Sequence, residues 1–208
     1  MRNRISYLQF HHNLSPFGIF SLNDILKIYP DFDSRRLNEW QEKNYLTKLI
    51  KGWYMFNDIS INENSLYQVS NSLRAPSYIS LESALSFYHV IPEQAFTITA
   101  ITTLKTMEYK TAKGNFSYKK IRQNLFFGYT IIPQAKGRPV LMAELEKTLL
   151  DYLYLNPKIN KPDAVASLRL NKEILTSLDF KKMEIYLQRF DNKALQNRYK
   201  LLKQMIAC

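Results

Sequence analysis

The chain has 208 residues, of which 46% are hydrophobic and 23% charged, so it is long enough to bury a core and to form two domains. Its five glycines argue against Gly-rich phosphate-binding loops, and its single cysteine, Cys208, excludes an intramolecular disulfide. Its apolar runs are shorter than the ~18–20 residues that span a membrane. We therefore expect a cytoplasmic protein without a membrane partner, and the net charge of +11 favours a polyanion such as nucleic acid as partner.

The first 30 residues predict two helices. Residues 1–14 can form a leading helix, with Ile5, Leu8 and Phe10 as candidate core anchors. A second helix begins after Ser21, because Ser21 with Asp24 three residues later is a weak capping box. Pro30 cannot continue that helix, so the chain must turn there.

A third helix is predicted at about residues 34–43, with Asp31 or Asp33 available as its cap. Leu37 and Trp40 are expected to form its buried face. At roughly 100° per residue, the opposite face carries Arg35, Asn38, Glu39 and Glu42, with Ser34 and Lys43 at the edges.

Residues 45–56 predict a tight hairpin, because they are rich in aromatic and β-branched residues and are interrupted by Lys51 and Gly52. Helix, turn, helix and hairpin in this order outline a winged helix-turn-helix, a module that commonly places its second helix in a DNA groove. The candidate DNA-binding residues are Ser34, Arg35, Asn38, Lys43, Lys48 and Lys51.

An alternative is that this unit docks a protein, since similar units serve in dimerisation and protein binding. Residues 1–58 hold 8 Lys/Arg and 6 Asp/Glu, a net charge of only +2. Strong phosphate binding usually has a clearer basic surface.

The rest of the chain predicts an α+β fold with a mainly antiparallel sheet and a helical C-terminal tail. Strands are expected at residues 96–104, 115–119, 126–132 and 140–142, and a helix at residues 144–155. We predict three units, namely a winged helix-turn-helix at 1–58, an α+β domain at 59–156 and a helical subdomain at 157–208.

Signals of catalysis are few. The three histidines have no zinc-site spacing, and no cofactor-binding motif is present, so we expect a non-enzymatic protein without cofactor or metal. The best catalytic candidate is the acidic helix with Glu144, Glu146, Lys147 and Asp151, which resembles a degenerate or active metal-dependent nuclease. An ion-pair network on the helix surface explains the same residues, and we prefer it.

A locally basic stretch between Lys105 and Arg122 contains six basic residues and one acidic residue. Interleaved aromatic residues are compatible with nucleic-acid binding through charge and stacking. A strand pair with a solvated lysine face is the other interpretation, and we favour it.

Three stretches resemble the AbiEi-type antitoxin and transcriptional regulator family of type IV toxin–antitoxin systems. They are LTKLIKGWYMF in the hairpin, APSYISLESALSFYHVIPE, and the run from FGYTIIPQ to MAELEKTLLDYLYL. The resemblance implies a winged helix that represses its own operon by binding operator DNA through Arg35, Asn38, Lys48 and Lys51. It also implies a C-terminal region required for antitoxicity in this abortive-infection system, functionally paired with a nucleotidyltransferase-like toxin that the antitoxin need not touch.

Overall fold

The N-terminal unit combines three helices with a three-stranded antiparallel sheet. The computed structural model describes residues 5–92, 96–135 and 137–207. The elements are α1 (Tyr7–Leu14), β1 (Ile19–Ser21), α2 (Leu22–Ile28), α3 (Arg35–Glu42), β2 (Leu46–Ile50) and β3 (Trp53–Phe56). The strand order β1-β3-β2 completes a winged helix-turn-helix, which confirms this part of the predicted fold class.

Local sequence signals explain where these elements begin and turn. The Ser21 hydroxyl accepts a hydrogen bond from the Asp24 backbone N–H at 3.1 Å, and the Asp24 carboxylate accepts one from the Ser21 N–H at 2.8 Å. Asp33 caps α3 by accepting from the Arg35 N–H at 3.1 Å. Gly52 has φ +81°, so the two-residue turn between β2 and β3 uses a conformation that glycine adopts without strain.

Two features of this unit differ from the sequence prediction. The predicted anchor Phe10 is fully buried, but the predicted anchor Leu8 is 80% exposed, and Leu14, which is not predicted, is buried beside Phe10. The strand β1 is not predicted, because three residues are too few to show a period. It exists through its pairing with β3, in which Phe20 lies opposite Tyr54.

The following region forms a six-stranded mixed sheet with helices on it. Its elements are α4 (Glu63–Leu73), β4 (Ser77–Ile79), α5 (Leu81–Phe87), β5 (Thr97–Thr102), β6 (Met107–Thr111), β7 (Gly114–Lys120), β8 (Tyr129–Ile132) and β9 (Val140–Ala143). The order is β6-β7-β5-β4-β9-β8, with three antiparallel and two parallel pairings. A mainly antiparallel α+β fold is therefore confirmed.

The remaining chain is helical, as predicted. Its helices are α6 (Leu145–Leu155), α7 (Pro162–Ala166), α8 (Lys172–Thr176), α9 (Phe180–Phe190) and α10 (Lys193–Ala207). Both α9 and α10 pack against α6, which is consequently buried on most of its circumference. Within the described residues, no helix combines the length and the apolar character needed to cross a membrane.

The sheet of the winged helix is covered on both faces. One face carries Phe20, Tyr54 and Phe56, which pack among α1, α2 and α3. The other face carries Ile19 and Met55, which belong to a second core shared with α4 and the six-stranded sheet. The predicted boundary between residues 58 and 59 thus crosses a continuous apolar contact, and it stays a prediction.

A polar contact reinforces the same junction. Arg138, in the loop between β8 and β9, donates to the Asp24 carboxylate at 2.6 Å and lies 5.4 Å from the Trp53 ring centre. The neighbouring Gly137 N–H donates to the Pro16 carbonyl at 2.8 Å. This loop therefore holds the first helix of the helix-turn-helix against the second sheet.

Candidate functional site

The exposed face of α3 is the first part of the candidate nucleic-acid interface. Leu37 and Trp40 point inward and are almost fully buried, and the Trp40 ring lies 4.4 Å from that of Phe10. Ser34, Arg35, Asn38 and Lys43 are exposed, together with Glu39 and Glu42. The helix therefore presents a polar surface of mixed charge, as its spacing predicts.

Arg36 does not belong to that surface. Its guanidinium donates to the Ile5 carbonyl and lies 4.6 Å from the centre of the Trp40 ring. A stacked guanidinium with a backbone acceptor stabilises the contact between α3 and the residues that precede α1. Arg36 is therefore committed to the fold, whereas Arg35 one residue earlier points to solvent.

Arg35 has an acidic partner that its sequence position does not reveal. Its Nη2 lies 2.7 Å from Asp33 Oδ2 and its Nε lies 3.0 Å from Asp33 Oδ1, although the Arg35 side chain is 82% exposed. An exposed pair of this kind contributes little to stability, because water and salt screen the attraction and two side chains lose conformational freedom. A phosphate can therefore compete for Arg35, but it must approach the Asp33 charge.

The hairpin supplies the second part of the interface. Lys51 is exposed in the turn, and Lys48 is exposed on the edge strand β2. Lys48 pairs with Tyr54, and directly paired residues of an antiparallel ladder point to the same face. Because Tyr54 packs in the core of α1–α3, Lys48 lies on the face of the sheet that carries α3.

The second sheet packs on the winged helix mainly through Ile19 and Met55, on the face of the three-stranded sheet opposite α3. Its edge strand β6 also lies against β2, and Arg138 contacts Asp24 and Trp53. The structure therefore places Ser34, Arg35, Asn38 and Lys43 on or beside α3, and Lys48 and Lys51 on the adjacent hairpin. All six predicted DNA-binding residues are solvent-exposed.

The candidate catalytic helix is organised differently from the preferred interpretation. Lys147 and Asp151 form the expected i,i+4 ion pair, but both side chains are fully buried rather than on the surface. Asp151 Oδ2 accepts hydrogen bonds from the Tyr78 hydroxyl at 2.9 Å and from the Ser80 hydroxyl at 3.1 Å. The Lys147 ammonium also donates to the Tyr78 oxygen at 3.0 Å.

Burial dominates the protonation of this pair. It lowers the pKa of Lys147 and raises the pKa of Asp151, while the attraction between the two charges opposes both changes. The rings of Phe127 and Phe190 lie 5.0 and 4.9 Å from the ammonium and exclude solvent from it. The arrangement is that of a buried polar network within the core.

The other two acidic residues bind α9 to α6. Lys182 lies 3.0 Å from a Glu144 carboxylate oxygen and 3.4 Å from a Glu146 oxygen. Glu144 also accepts from the Tyr186 hydroxyl, and Glu146 accepts from the Asp179 N–H at 3.1 Å. Each acidic side chain of the candidate helix thus has structural partners.

The basic stretch between Lys105 and Arg122 forms the hairpin of β6 and β7 at the edge of the larger sheet. Its aromatic residues Tyr109, Phe116 and Tyr118 point toward α4 and the core, where Tyr118 donates to the Ser70 carbonyl at 2.8 Å. They are therefore not arranged as an exposed stacking surface.

The part of the chain described by the structure contains no group of three His, Cys, Asp or Glu residues arranged to hold a metal ion. The sequence was also compared with models of protein families and with curated proteins. No family model and no curated protein matches it.

Proposed function

We propose that this chain is a DNA-binding transcriptional autorepressor and the antitoxin of a type IV toxin–antitoxin system. The observation that carries the DNA-binding part is the open side of the winged helix, where the polar face of α3 and Lys48 lie on the same side of the three-stranded sheet. In a winged helix-turn-helix this side meets the major groove and the flanking phosphates. The antitoxin part rests on the family resemblance.

The charge distribution suggests how such binding divides between affinity and specificity. The winged helix carries a net charge of only +2, and Glu39 and Glu42 lie on the exposed face of α3. Few phosphate contacts are therefore available, so binding should have a shallow salt dependence. In this proposal Asn38 reads a base edge, and Lys48 and Lys51 contact phosphates.

A mobility-shift titration with the region upstream of the chain's own operon tests the proposal. We expect Lys48→Ala with Lys51→Ala to weaken binding to all sequences and to reduce the slope of log K against log[salt] by about 1.8, or about 0.9 for each phosphate that is no longer neutralised. Asn38→Ala should mainly cost discrimination at one base pair, by about 1–3 kcal/mol.

The control for the lysine pair is Lys158→Ala with Lys161→Ala, which removes the same charge from exposed positions outside the winged helix. It should leave the salt slope within about 0.5 of the unmodified chain. Absence of any salt-sensitive, sequence-preferring shift would refute DNA binding. Recovery of a protein partner by a chain that shifts no DNA would instead support the protein-docking alternative.

The Asp33–Arg35 pair provides a prediction with the opposite sign. Asp33→Asn keeps an oxygen that can cap α3 but removes the charge that holds Arg35 and repels phosphate. We expect DNA to bind about two- to fivefold more tightly. Unchanged or weaker binding in the same titration would show that α3 does not approach phosphate at Arg35.

The antitoxin activity needs a separate experiment. The product of the neighbouring gene should arrest growth when it is expressed alone, and co-expression of this chain should restore growth. Because the proposed DNA contacts are confined to the winged helix, the Lys48 and Lys51 variant should retain this rescue. Failure of the unmodified chain to rescue growth would refute the antitoxin assignment without affecting the DNA-binding one.

A further inference from the structure

The hairpin of β6 and β7 carries positive charge that the proposed function does not use. Residues 105–122 hold six basic side chains and one acidic side chain, a net charge of +5, whereas the winged helix has only +2. In the described part of the chain, none of these six basic residues forms an ion pair with a carboxylate. Their charge is therefore open to an external anion.

This basic hairpin lies beside the wing. The Cα atoms of β6 and β2 approach within 8 Å of each other. Sheets that pack face to face are about 10 Å apart, so the two strands meet edge to edge. Each is the outermost strand of its own sheet. The hairpin therefore flanks the strand that carries Lys48.

Two of the lysines lie at the open end of the hairpin. Lys120 follows Tyr118 by two residues in β7, so it lies on the sheet face where Tyr118 packs in the core shared with Met55 of the winged helix. Lys105 precedes β6, and its backbone carbonyl accepts a hydrogen bond from the Arg74 guanidinium at 2.6 Å. Both lysine side chains are exposed. They therefore present charge on the same side of the larger sheet as the winged helix.

The other lysines of the hairpin differ in their surroundings. Lys110 and Lys119 alternate with the buried aromatic residues and so lie on the opposite face, in a cleft that they share with Glu82 and Glu108. The two carboxylates offset their charge in that cleft. Lys113 lies in the turn between β6 and β7 and is partly exposed. The cations best placed for a polyanion beside the wing are thus those at the two ends of the hairpin.

The aromatic residues of the hairpin determine which nucleic acid fits it. Proteins that bind single strands usually stack bases on exposed aromatic rings. Phe116 and Tyr118 are buried in the core and offer no such surface. Charge without stacking suits the phosphates of a duplex, which position a protein without conveying sequence.

We propose that the β6–β7 hairpin contacts phosphates of the duplex DNA that flanks the operator on the side of the wing. The inference rests on the proposed function, because the winged helix places the duplex beside β2. The five residues of β6 span roughly 16 Å, which equals about five base pairs at ~3.4 Å each. The hairpin thus extends the DNA contacts of the winged helix by about half a helical turn.

Such contacts add affinity without specificity and change the salt dependence. The shallow dependence expected for the winged helix holds on a duplex that ends at the wing. On a longer duplex, Lys105, Lys113 and Lys120 release further counterions, and the slope of log K against log[salt] steepens by about 0.9 for each phosphate neutralised.

Salt titrations and hydroxyl-radical footprinting on two operator duplexes test the proposal. One duplex ends at the wing, and the other continues for about 15 base pairs beyond it, roughly three times the reach of the hairpin. On the long duplex, the triple variant Lys105→Ala, Lys113→Ala, Lys120→Ala should lose protection of about five base pairs next to the wing and about 1.8–2.7 of the salt slope. On the short duplex it should bind like the unmodified chain.

Two further variants separate charge from structure. Replacing the same three lysines by Arg keeps the charge and should preserve both the flanking protection and the slope. The matched control is Lys158→Ala, Lys161→Ala, Lys172→Ala, which removes three exposed charges from the C-terminal region and should change neither.

The outcomes distinguish this inference from the function on which it rests. If the unmodified chain binds both duplexes and the triple Ala variant keeps the flanking protection and the slope, the hairpin does not contact DNA, while the proposed function stands. Equal losses on the short and long duplexes would also overturn the inference, since the short duplex cannot reach the hairpin. Tighter binding to the single strand than to the long duplex would overturn the assignment to duplex DNA. If the unmodified chain binds neither duplex, the proposed function is refuted and this inference with it.

Discussion

Lys147→Met should lower the free energy of unfolding by about 3–5 kcal/mol, because it leaves the carboxylate of Asp151 buried without its cation. The hydroxyls of Tyr78 and Ser80 would still donate to that carboxylate, but neither carries a compensating charge. Urea denaturation followed by far-UV circular dichroism measures the loss, and an unchanged m-value would show that the unfolded surface is the same.

The double variant Lys147→Met, Asp151→Asn separates charge burial from packing. It removes both charges and keeps an oxygen that can accept from Tyr78 and Ser80, so it should recover at least half of the lost stability. Lys182→Met is the control, since it breaks partly exposed ion pairs to Glu144 and Glu146 and should cost no more than about 1 kcal/mol. A double variant no more stable than Lys147→Met would show that poorer packing, and not an unpaired charge, is the cause.

The penalty in Lys147→Met should also depend on pH. Burial raises the pKa of Asp151 above its ordinary value of 3.8, and loss of the ammonium removes the main opposing effect. Above pH 3.8 the folded variant then binds more protons than the unfolded chain, so its stability falls as pH rises through this window. The difference from the unmodified chain should therefore be smaller at pH 4 than at pH 7.

Local chemistry explains which parts of the fold the sequence predicts well. The capping box of Ser21 and Asp24 and the turn at Lys51 and Gly52 depend on neighbouring residues, and both are present in the structure. The strand β1 depends on pairing with β3, more than 30 residues later, and three residues carry no periodic signal of it. The predicted anchor Leu8 fails because apolar character alone does not determine which face of α1 is buried.

The same limit applies to Lys147 and Asp151. Their i,i+4 spacing predicts an ion pair, but it does not say which way the pair faces, and charged residues on a helix usually face water. Here α6 packs against α5, α9 and α10, and Asp151 on it reaches Tyr78 of β4. The partners Tyr78 and Ser80 precede the pair by about 70 residues, so only the tertiary fold brings them together.

The second large effect concerns the core of the winged helix. Trp40→Ala should lower the free energy of unfolding by about 3–5 kcal/mol, because the ring is almost fully buried and contacts Phe10, Tyr7 and the Arg36 guanidinium. Leu8→Ala on the neighbouring α1 is the control. Since Leu8 is 80% exposed, its truncation should change stability by less than about 0.5 kcal/mol.

Trp40→Ala also tests whether the winged helix unfolds alone. Trp53 is then the remaining tryptophan, and it lies at the junction under Arg138, so its fluorescence reports on the packing between the two units. Because Ile19 and Met55 share a core with α4, we expect the fluorescence and circular dichroism transitions to coincide. If ellipticity is lost first while the Trp53 fluorescence stays unchanged, α1–α3 unfold before the junction does. The shared core would then not couple the unfolding of α3 to that of the second sheet.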